Sequence, residues 1–149
     1  MNISFYLIPK SELCYIYEEE TVGKGLDTIH EKGFQAVPVI NKEGKYCGTV
    51  TEGDFLWALT IRHYNDSDEL MHFPLSMLPK RWDYKAVSVE ADIAELDQYI
   101  INQNFVPVVD SRGIFIGIIT RKVIISVLLK RYHHMVDKYG LDEVRGLDD

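Results

Sequence analysis

The sequence contains two copies of one long pattern, and this repeat constrains the fold more than any other feature. In copy one, an apolar segment with a central proline is followed by a turn with glycine, a second apolar segment and the motif Gly48-x-x-Thr51. In copy two the proline, the glycine and the threonine return as Pro107, Gly117 and Thr120, each 69 residues further along. Three landmarks at one constant offset indicate a tandem structural repeat.

Each copy predicts the order strand, helix, strand, strand, helix. Short extended segments at 14–17 and 86–89 are followed by acidic and hydroxyl side chains that can cap a helix. Apolar residues then recur at helical spacing, at Val22, Leu26 and Ile29 in copy one and at Ile93, Leu96 and Ile100 in copy two. The proline-containing runs are apolar on both faces, as in covered strands. The predicted fold class is α/β (α+β), with two pseudo-symmetric βαββα repeats.

The repeat also predicts the domain boundaries. We expect copy one at 5–65, copy two at 66–135 and an acidic C-terminal tail at 136–149, with a polar loop at 65–69 between the copies. Polar stretches of this kind are where connections and chain ends tolerate change best.

The last helix of each copy is predicted at 54–63 and at 122–135. The second of these carries more apolar side chains than a single buried stripe needs. Surplus apolar surface on a helix favours packing against another subunit. We therefore expect a partner subunit to pack against this helix.

Composition excludes several classes of protein. The net charge of −7 on 149 residues argues against a general nucleic-acid binder, which needs a basic surface. The two cysteines, Cys14 and Cys47, have no disulfide-framework spacing, which favours a reducing compartment. There is no signal-peptide pattern and no apolar window of about 18 residues. We expect a cytoplasmic protein without membrane contact.

The residues quoted so far carry a family resemblance. An apolar-Pro-Val strand followed by Gly-x-x-Thr-x-x-Asp, from Gly48 to Asp54, resembles the tandem cystathionine-beta-synthase (CBS) domain pair, also called a Bateman module. The resemblance covers roughly residues 5–135, so we expect a stand-alone pair. It implies two clefts between pseudo-symmetric repeats, where adenine nucleotides or related adenosyl ligands often bind. Because family members commonly form dimers of two pairs, it also implies a homodimer through the helices at 54–63 and 122–135.

The resemblance implies a ligand site at the motif of copy one. Asp54, at a helix start, would accept hydrogen bonds from both ribose hydroxyls, and Thr51 would donate to a phosphate or ribose oxygen near free helix amides. Gln35 stands where some nucleotide-binding relatives carry a basic residue, which argues against a triphosphate. The adenine would lie in an apolar slot. Its walls would be Thr49, Ala36, Val37 and Pro38 on one side and Lys85, Ala86 and Val87 on the other.

Copy two departs from this motif, which continues there as Thr120-Arg121-Lys122-Val123. Valine cannot accept a hydroxyl hydrogen, and an unpaired buried hydroxyl costs roughly 1 to 3 kcal/mol. We predict one good site at Asp54 and a second that is weak, empty or differently used. By resemblance, Arg121 or Lys122 could contact the phosphates of a ligand held by copy one.

Taken together, these patterns predict a cytosolic ligand-sensing regulatory module. Its ligand would be AMP, ADP, ATP, S-adenosylmethionine or cyclic di-AMP, with an unidentified protein target as a further partner. No nucleophile with an adjacent base and no metal cluster is visible, since the adjacent His133 and His134 do not share a helix face. We expect no enzymatic activity, no metal and no cofactor besides the regulatory nucleotide.

Two alternatives stay open. Thr51 and Asp54 could do no more than cap the following helix, because Asp at a helix start needs no ligand to explain it. The whole protein could also be a constitutive dimeric scaffold with vestigial clefts.

Overall fold

The structure is a computed structural model that describes residues 2–61, 67–78 and 84–140. It contains two small β-sheets with helices packed against them. The sequence predictions for residues 62–66, including the boundary between the copies, and for 141–149 of the tail lie outside the described residues. Among the residues described, no helix is long and apolar enough to cross a membrane.

Copy one has the predicted order of elements. A 3-10 helix (Ile3–Tyr6), strand β1 (Ile8–Pro9) and a 3-10 turn (Lys10–Glu12) precede it; the copy itself comprises β2 (Ile16–Tyr17), α1 (Val22–Lys32), β3 (Ala36–Ile40), β4 (Tyr46–Thr51) and α2 (Glu52–Ile61). Its sheet has the order β2-β3-β4, with β2 parallel and β4 antiparallel to β3. The hydroxyl of Thr21 caps α1, and Gly33 ends it at φ 67°.

The described part of the segment between the copies includes a helix where part of a loop was predicted. Part of the expected loop at 65–69 belongs to a helix, α3 (Ser67–His72), which is followed by a 3-10 helix at Leu75–Met77. Helix α3 packs against α1, and Leu70 is buried in the core of copy one. Burial of this side chain stabilises a helix whose first residues are polar.

Copy two repeats the path of copy one with one difference. It comprises β5 (Val87–Ser88), a 3-10 helix (Ile93–Leu96), β6 (Phe105–Val109), β7 (Phe115–Thr120) and α4 (Arg121–Tyr139). The predicted first α-helix is replaced by the 3-10 helix and turns, with bonds from Glu95 N to Asp92 O and from Tyr99 N to Leu96 O. A 3-10 helix rises about 2.0 Å per residue against 1.5 Å in an α-helix. Copy two therefore connects its first two strands, β5 and β6, with fewer residues.

Helix α4 is longer than the predicted 122–135. It runs from Arg121 to Tyr139 and ends at Gly140, which has a positive φ of 84°. No glycine or proline interrupts the sequence before that point. Residues 136–139, predicted as the beginning of a tail, are helical.

Each copy is completed by the segment that precedes the other. Strand β1 pairs antiparallel with β7, so the second sheet has the order β1-β7-β6-β5. Ile3 is fully buried in the core of copy two, whereas Leu70, Leu75 and Leu78 are buried in the core of copy one. The units of packing thus differ from the units of sequence repetition.

The glycines at equivalent positions of β4 and β7 are needed for different reasons. Gly48 has a φ of 150°, which L-residues adopt rarely. At Gly117 a Cβ atom would overlap the carbonyl oxygen of Ile8 and approach the Leu7 side chain to 2.9 Å. Gly117 therefore allows β1 to lie close to β7, with which it pairs.

The two copies meet at their hairpin tips and along a shared apolar cluster. Tyr46 N donates to Gly113 O at 3.2 Å, and Phe115 N donates to Gly44 O at 2.9 Å. The buried members of the cluster are Ile40, Tyr84, Phe105, Phe115 and Ile118. Because it draws on both copies, this cluster holds the repeats in one arrangement.

Candidate functional site

A cavity of about 410 Å³ lies between the two copies. Its volume is within the range typical of small-molecule sites. Copy one contributes the turn at the start of α2, and copy two contributes the loop before β6. The lining residues are Gln35, Thr51, Glu52 and Gly53 from copy one and Tyr84, Ile101, Asn102 and Asn104 from copy two.

The motif of copy one forms a reciprocal cap under this cavity. Asp54 Oδ2 accepts a hydrogen bond from Thr51 N at 2.8 Å, and Thr51 Oγ1 accepts one from Asp54 N at 3.3 Å. Both residues therefore cap the start of α2 in the structure. Asp54 is 1% exposed, and the cavity is lined by Thr51, Glu52 and Gly53 above it.

The first predicted wall is largely enclosed. Val37, Pro38 and Thr49 are buried, and Ala36 packs against the cluster between the copies. The Tyr46 hydroxyl donates to Tyr84 O at 2.6 Å and lies 2.8 Å from Thr49 Oγ1. Because the single Tyr46 proton is used, the Thr49 hydroxyl is the donor in that pair. Gln35, which precedes this wall in the sequence, does line the cavity.

The second predicted wall lies beside the cavity. Tyr84, one residue before it, supplies the lining. Lys85 is exposed, Ala86 is partly buried and Val87 packs into the core of copy two. Tyr84 is 5% exposed, and its hydroxyl accepts from Asn104 N at 3.1 Å. Sequence reasoning therefore located this side of the cavity to within one residue but missed the aromatic side chain.

The motif of copy two has the cap but no carboxylate. Thr120 Oγ1 accepts from Val123 N at 3.3 Å, and Val123 packs against the core of copy two. Arg121 Nε donates to Gln103 O at 2.9 Å, which places its guanidinium beside the Asn102–Asn104 loop. Lys122 is exposed. Arg121 is thus the better placed of the two predicted phosphate contacts.

A second cavity, of about 500 Å³, is lined by Cys14, Lys32 and Phe34 together with neighbouring residues of the copy-one segments. Leu13, which also lines this cavity, and Lys32 correspond by the repeat to Tyr84 and Ile101 of the first cavity. Neither Thr120, Arg121 nor Lys122 lines it. Burial raises the pKa of the Cys14 thiol, while the charge of nearby Lys32 lowers it in part. The thiol is consequently a weak nucleophile at neutral pH.

Sequence reasoning missed most of the copy-two lining. Asn104 could have been found, because it lies 69 residues after Gln35 and so occupies the equivalent position. Glu52 and Gly53 lie within the predicted motif, but their surface position depends on how the turn packs. Ile101 and Asn102 carry no sequence signal, since they belong to turns in the region predicted as an α-helix.

Comparison with known proteins identifies what the chain is similar to. A family model described as the CBS domain matches residues 7–61 and 77–130. A solved structure of CbpB in complex with c-di-AMP is 26% identical, with a TM-score of 0.75, and the match covers 93% of this chain and 91% of that chain. CbpB from Streptococcus agalactiae is also 26% identical, with a TM-score of 0.73 and coverage of 93% and 87%.

Two further similarities are more limited. CBSX2 in complex with AMP is 21% identical, with a TM-score of 0.68 over 88% of this chain and 98% of that chain, which shows a shared fold. Among curated proteins, the A-adding tRNA nucleotidyltransferase of Aquifex aeolicus is 27% identical over 117 residues. The match covers 76% of this chain but 13% of that enzyme, so the similarity concerns a small part of the enzyme's length.

Proposed function

The chain belongs to the CBS-domain family, and from this premise we propose that it is a ligand-sensing regulatory module that binds an adenosine-containing nucleotide between its two copies. The observation that carries the proposal is the cavity of about 410 Å³ lined by both copies, with the Thr51 turn on one side and Tyr84 on the other. The similarity to CbpB, whose structure was solved with c-di-AMP, supports this class of ligand.

A ligand in this cavity would act on the arrangement of the copies. It would contact α2 of copy one and the loop before β6 of copy two at the same time. A ligand can shift a conformational equilibrium only by binding the two conformations with different affinity. A site built from two packed repeats meets this condition, because any movement of one repeat changes the cavity.

The role of Asp54 in ribose binding is part of the proposal. In the structure its carboxylate caps the turn formed by Thr51, Glu52 and Gly53. A ribose in the cavity would meet Thr51 and Gly53 first, so contact with Asp54 requires a small movement of this turn. AMP, ADP, ATP, S-adenosylmethionine and cyclic di-AMP are the candidate ligands, and no catalytic step is included.

A thermal-shift screen tests the proposal. We expect an adenine nucleotide, but not the matching guanine nucleotide, to raise the Tm by several degrees at 100 times its Kd, since this corresponds to about 2.7 kcal/mol. Asp54→Ala should abolish the ligand-induced shift, and Asp27→Ala, at an exposed position of α1, should keep it. The ligand-free Tm of each variant is the reference, because loss of the cap alone costs about 1 kcal/mol. A panel that produces no shift would contradict the proposal.

A dimeric scaffold is the second candidate, favoured by apolar side chains on the surface. Leu56 on α2 is 60% exposed and Leu129 on α4 is 51% exposed. Light scattering coupled to size exclusion should show a dimer of the unliganded protein, with Leu129→Glu monomeric and Lys122→Ala still dimeric. A wild-type monomer at every concentration would exclude the scaffold. A ligand-independent dimer that gives no thermal shift would favour it over the sensor.

A further inference from the structure

One buried amide joins two segments of copy two that line the cavity. Gln103 is 5% exposed. Its Oε1 accepts from Lys85 N at 2.9 Å, and its Nε2 donates to Lys85 O and to Phe105 O, both at 3.2 Å. The amide therefore uses both its donor and its acceptor groups on main-chain atoms, as a neighbouring strand would.

The segments that Gln103 joins are the ones that face the cavity. Tyr84 precedes Lys85, and Asn102 and Asn104 flank Gln103; all three line the cavity. A further bond runs between the same segments, from Asn104 N to the Tyr84 hydroxyl at 3.1 Å. Three hydrogen bonds therefore join the Tyr84–Lys85 segment to the 103–105 segment, and Gln103 makes two of them. Its third bond, to Phe105 O, lies within the 103–105 segment.

The same residue also orients a cation through its main chain. Arg121 Nε donates to the carbonyl oxygen of Gln103 at 2.9 Å. Within the described part of the chain, the Arg121 side chain makes no other hydrogen bond and no ion pair. Its remaining guanidinium donors are available for an anionic group, and their position follows that of the loop.

Copy one has no counterpart to this arrangement. By the repeat, the residue equivalent to Gln103 is Phe34, which is 45% exposed and cannot form such bonds. Phe34 lines the second cavity. The two cavities therefore differ in their support as well as in their motif residues.

We propose that Gln103 is the positioning residue of the nucleotide site, holding the Tyr84–Lys85 segment against the Asn102–Asn104 loop so that the cavity exists before ligand arrives. This inference rests on the function proposed above. A preformed site binds more tightly than one that must be ordered on binding, because the ordering cost is already met in the free protein.

The test is a series of variants at one position, with AMP and adenosine as probes. Gln103→Met keeps the length of the side chain and removes its hydrogen bonds, whereas Gln103→Glu keeps the acceptor for Lys85 N and loses the donors. Gln98→Met is the matched control, because Gln98 is exposed and its side-chain amide donates to Glu95 O within its own turn. Circular dichroism and the ligand-free Tm establish that each variant is folded at the assay temperature.

Calorimetry should show that the affinity for AMP falls about tenfold in Gln103→Met and about threefold in Gln103→Glu. In Gln98→Met it should equal that of the wild-type protein. Adenosine binding should weaken by about the same factors, because the variants act on the cavity wall and keep the main-chain oxygen of residue 103 as the acceptor for Arg121. Hydrogen exchange at the Lys85 amide should be faster in Gln103→Met. Faster exchange with wild-type AMP affinity would overturn the positioning role, as would unchanged exchange. If the wild-type protein bound neither probe nor any other nucleotide of the thermal-shift panel, the proposed function itself would fail.

Discussion

The two copies follow the same path through β-hairpin and final helix, yet they support different cavities. Thr51 and Thr120 both cap the helix that follows them, so the cap belongs to the fold. The carboxylate of Asp54 has no equivalent, because Val123 packs into the core instead. In this pair the capping threonine recurs in both copies, whereas the carboxylate proposed to bind ribose occurs in one.

The loops that precede β3 and β6 differ in the same way. Gln103 links Lys85 and Phe105 in copy two, while the equivalent Phe34 is half-exposed in copy one. A pseudo-symmetric backbone therefore does not imply two equal binding sites. Three sets of substitutions test this difference.

The largest effect is expected on stability, at the two equivalent glycines. Gly117→Ala should lower the free energy of unfolding by about 3 kcal/mol, because its Cβ would overlap the main chain of β1. Gly48→Ala should cost about 1 to 2 kcal/mol, because the strain there is confined to a φ of 150°. Thermal denaturation checks both values. A smaller loss of stability in Gly117→Ala than in Gly48→Ala would show that the close approach of β1 to β7 contributes little to stability.

The second set exchanges the residues that distinguish the motifs. Asp54→Asn can still accept a hydrogen bond from Thr51 N, but it carries no charge and has one oxygen to offer a ribose. We expect AMP affinity to fall at least tenfold, or about 1.4 kcal/mol, with little change in Tm. Calorimetry on the folded variant measures this, and unchanged affinity would exclude a ribose contact.

The reverse exchange, Val123→Asp, should not create a second site. The copy-two motif does not line the second cavity, and a carboxylate at this partly buried position loses apolar packing. We expect the stoichiometry of AMP binding to stay at one per chain. A second binding event of similar affinity would show that the carboxylate alone distinguishes the two copies.

The smallest effects on nucleotide affinity are expected for substitutions of charged residues. Arg121 and Glu52 occupy equivalent positions at the start of α4 and α2. Among the described residues that line the cavity, Glu52 is the one that carries a charge. Arg121→Ala should lower the affinity for AMP about fivefold and leave the affinity for adenosine unchanged. Glu52→Ala should raise the affinity for ATP about threefold, or about 0.6 kcal/mol. Lys122→Ala should lower the affinity for AMP less than Arg121→Ala does.

Titrations with adenosine, AMP and ATP at two salt concentrations check these values, because exposed charges are screened by salt. Equal losses for adenosine and AMP in Arg121→Ala would contradict a phosphate contact.

Local features of the fold could be predicted from local sequence. The helical segment that contains Val22, Leu26 and Ile29 and the paired hairpins are confirmed, because caps and apolar spacing act within a few residues. The 3-10 helix at Ile93–Leu96 could not be distinguished from an α-helix, since Ile93 and Leu96 satisfy both periods. Helix α3 was missed because its stability comes from Leu70 packing on copy one.

By itself the sequence determined the repeat, the family, the order of elements in copy one and the loss of the carboxylate at Val123. The tertiary structure decided that β1 joins copy two, that Leu70 and Leu75 join copy one, and that Tyr84, Asn102 and Asn104 face the cavity. The physical reason is the range of the forces involved. Spacing and caps report interactions along a few turns of chain, whereas burial depends on which distant segments exclude water together.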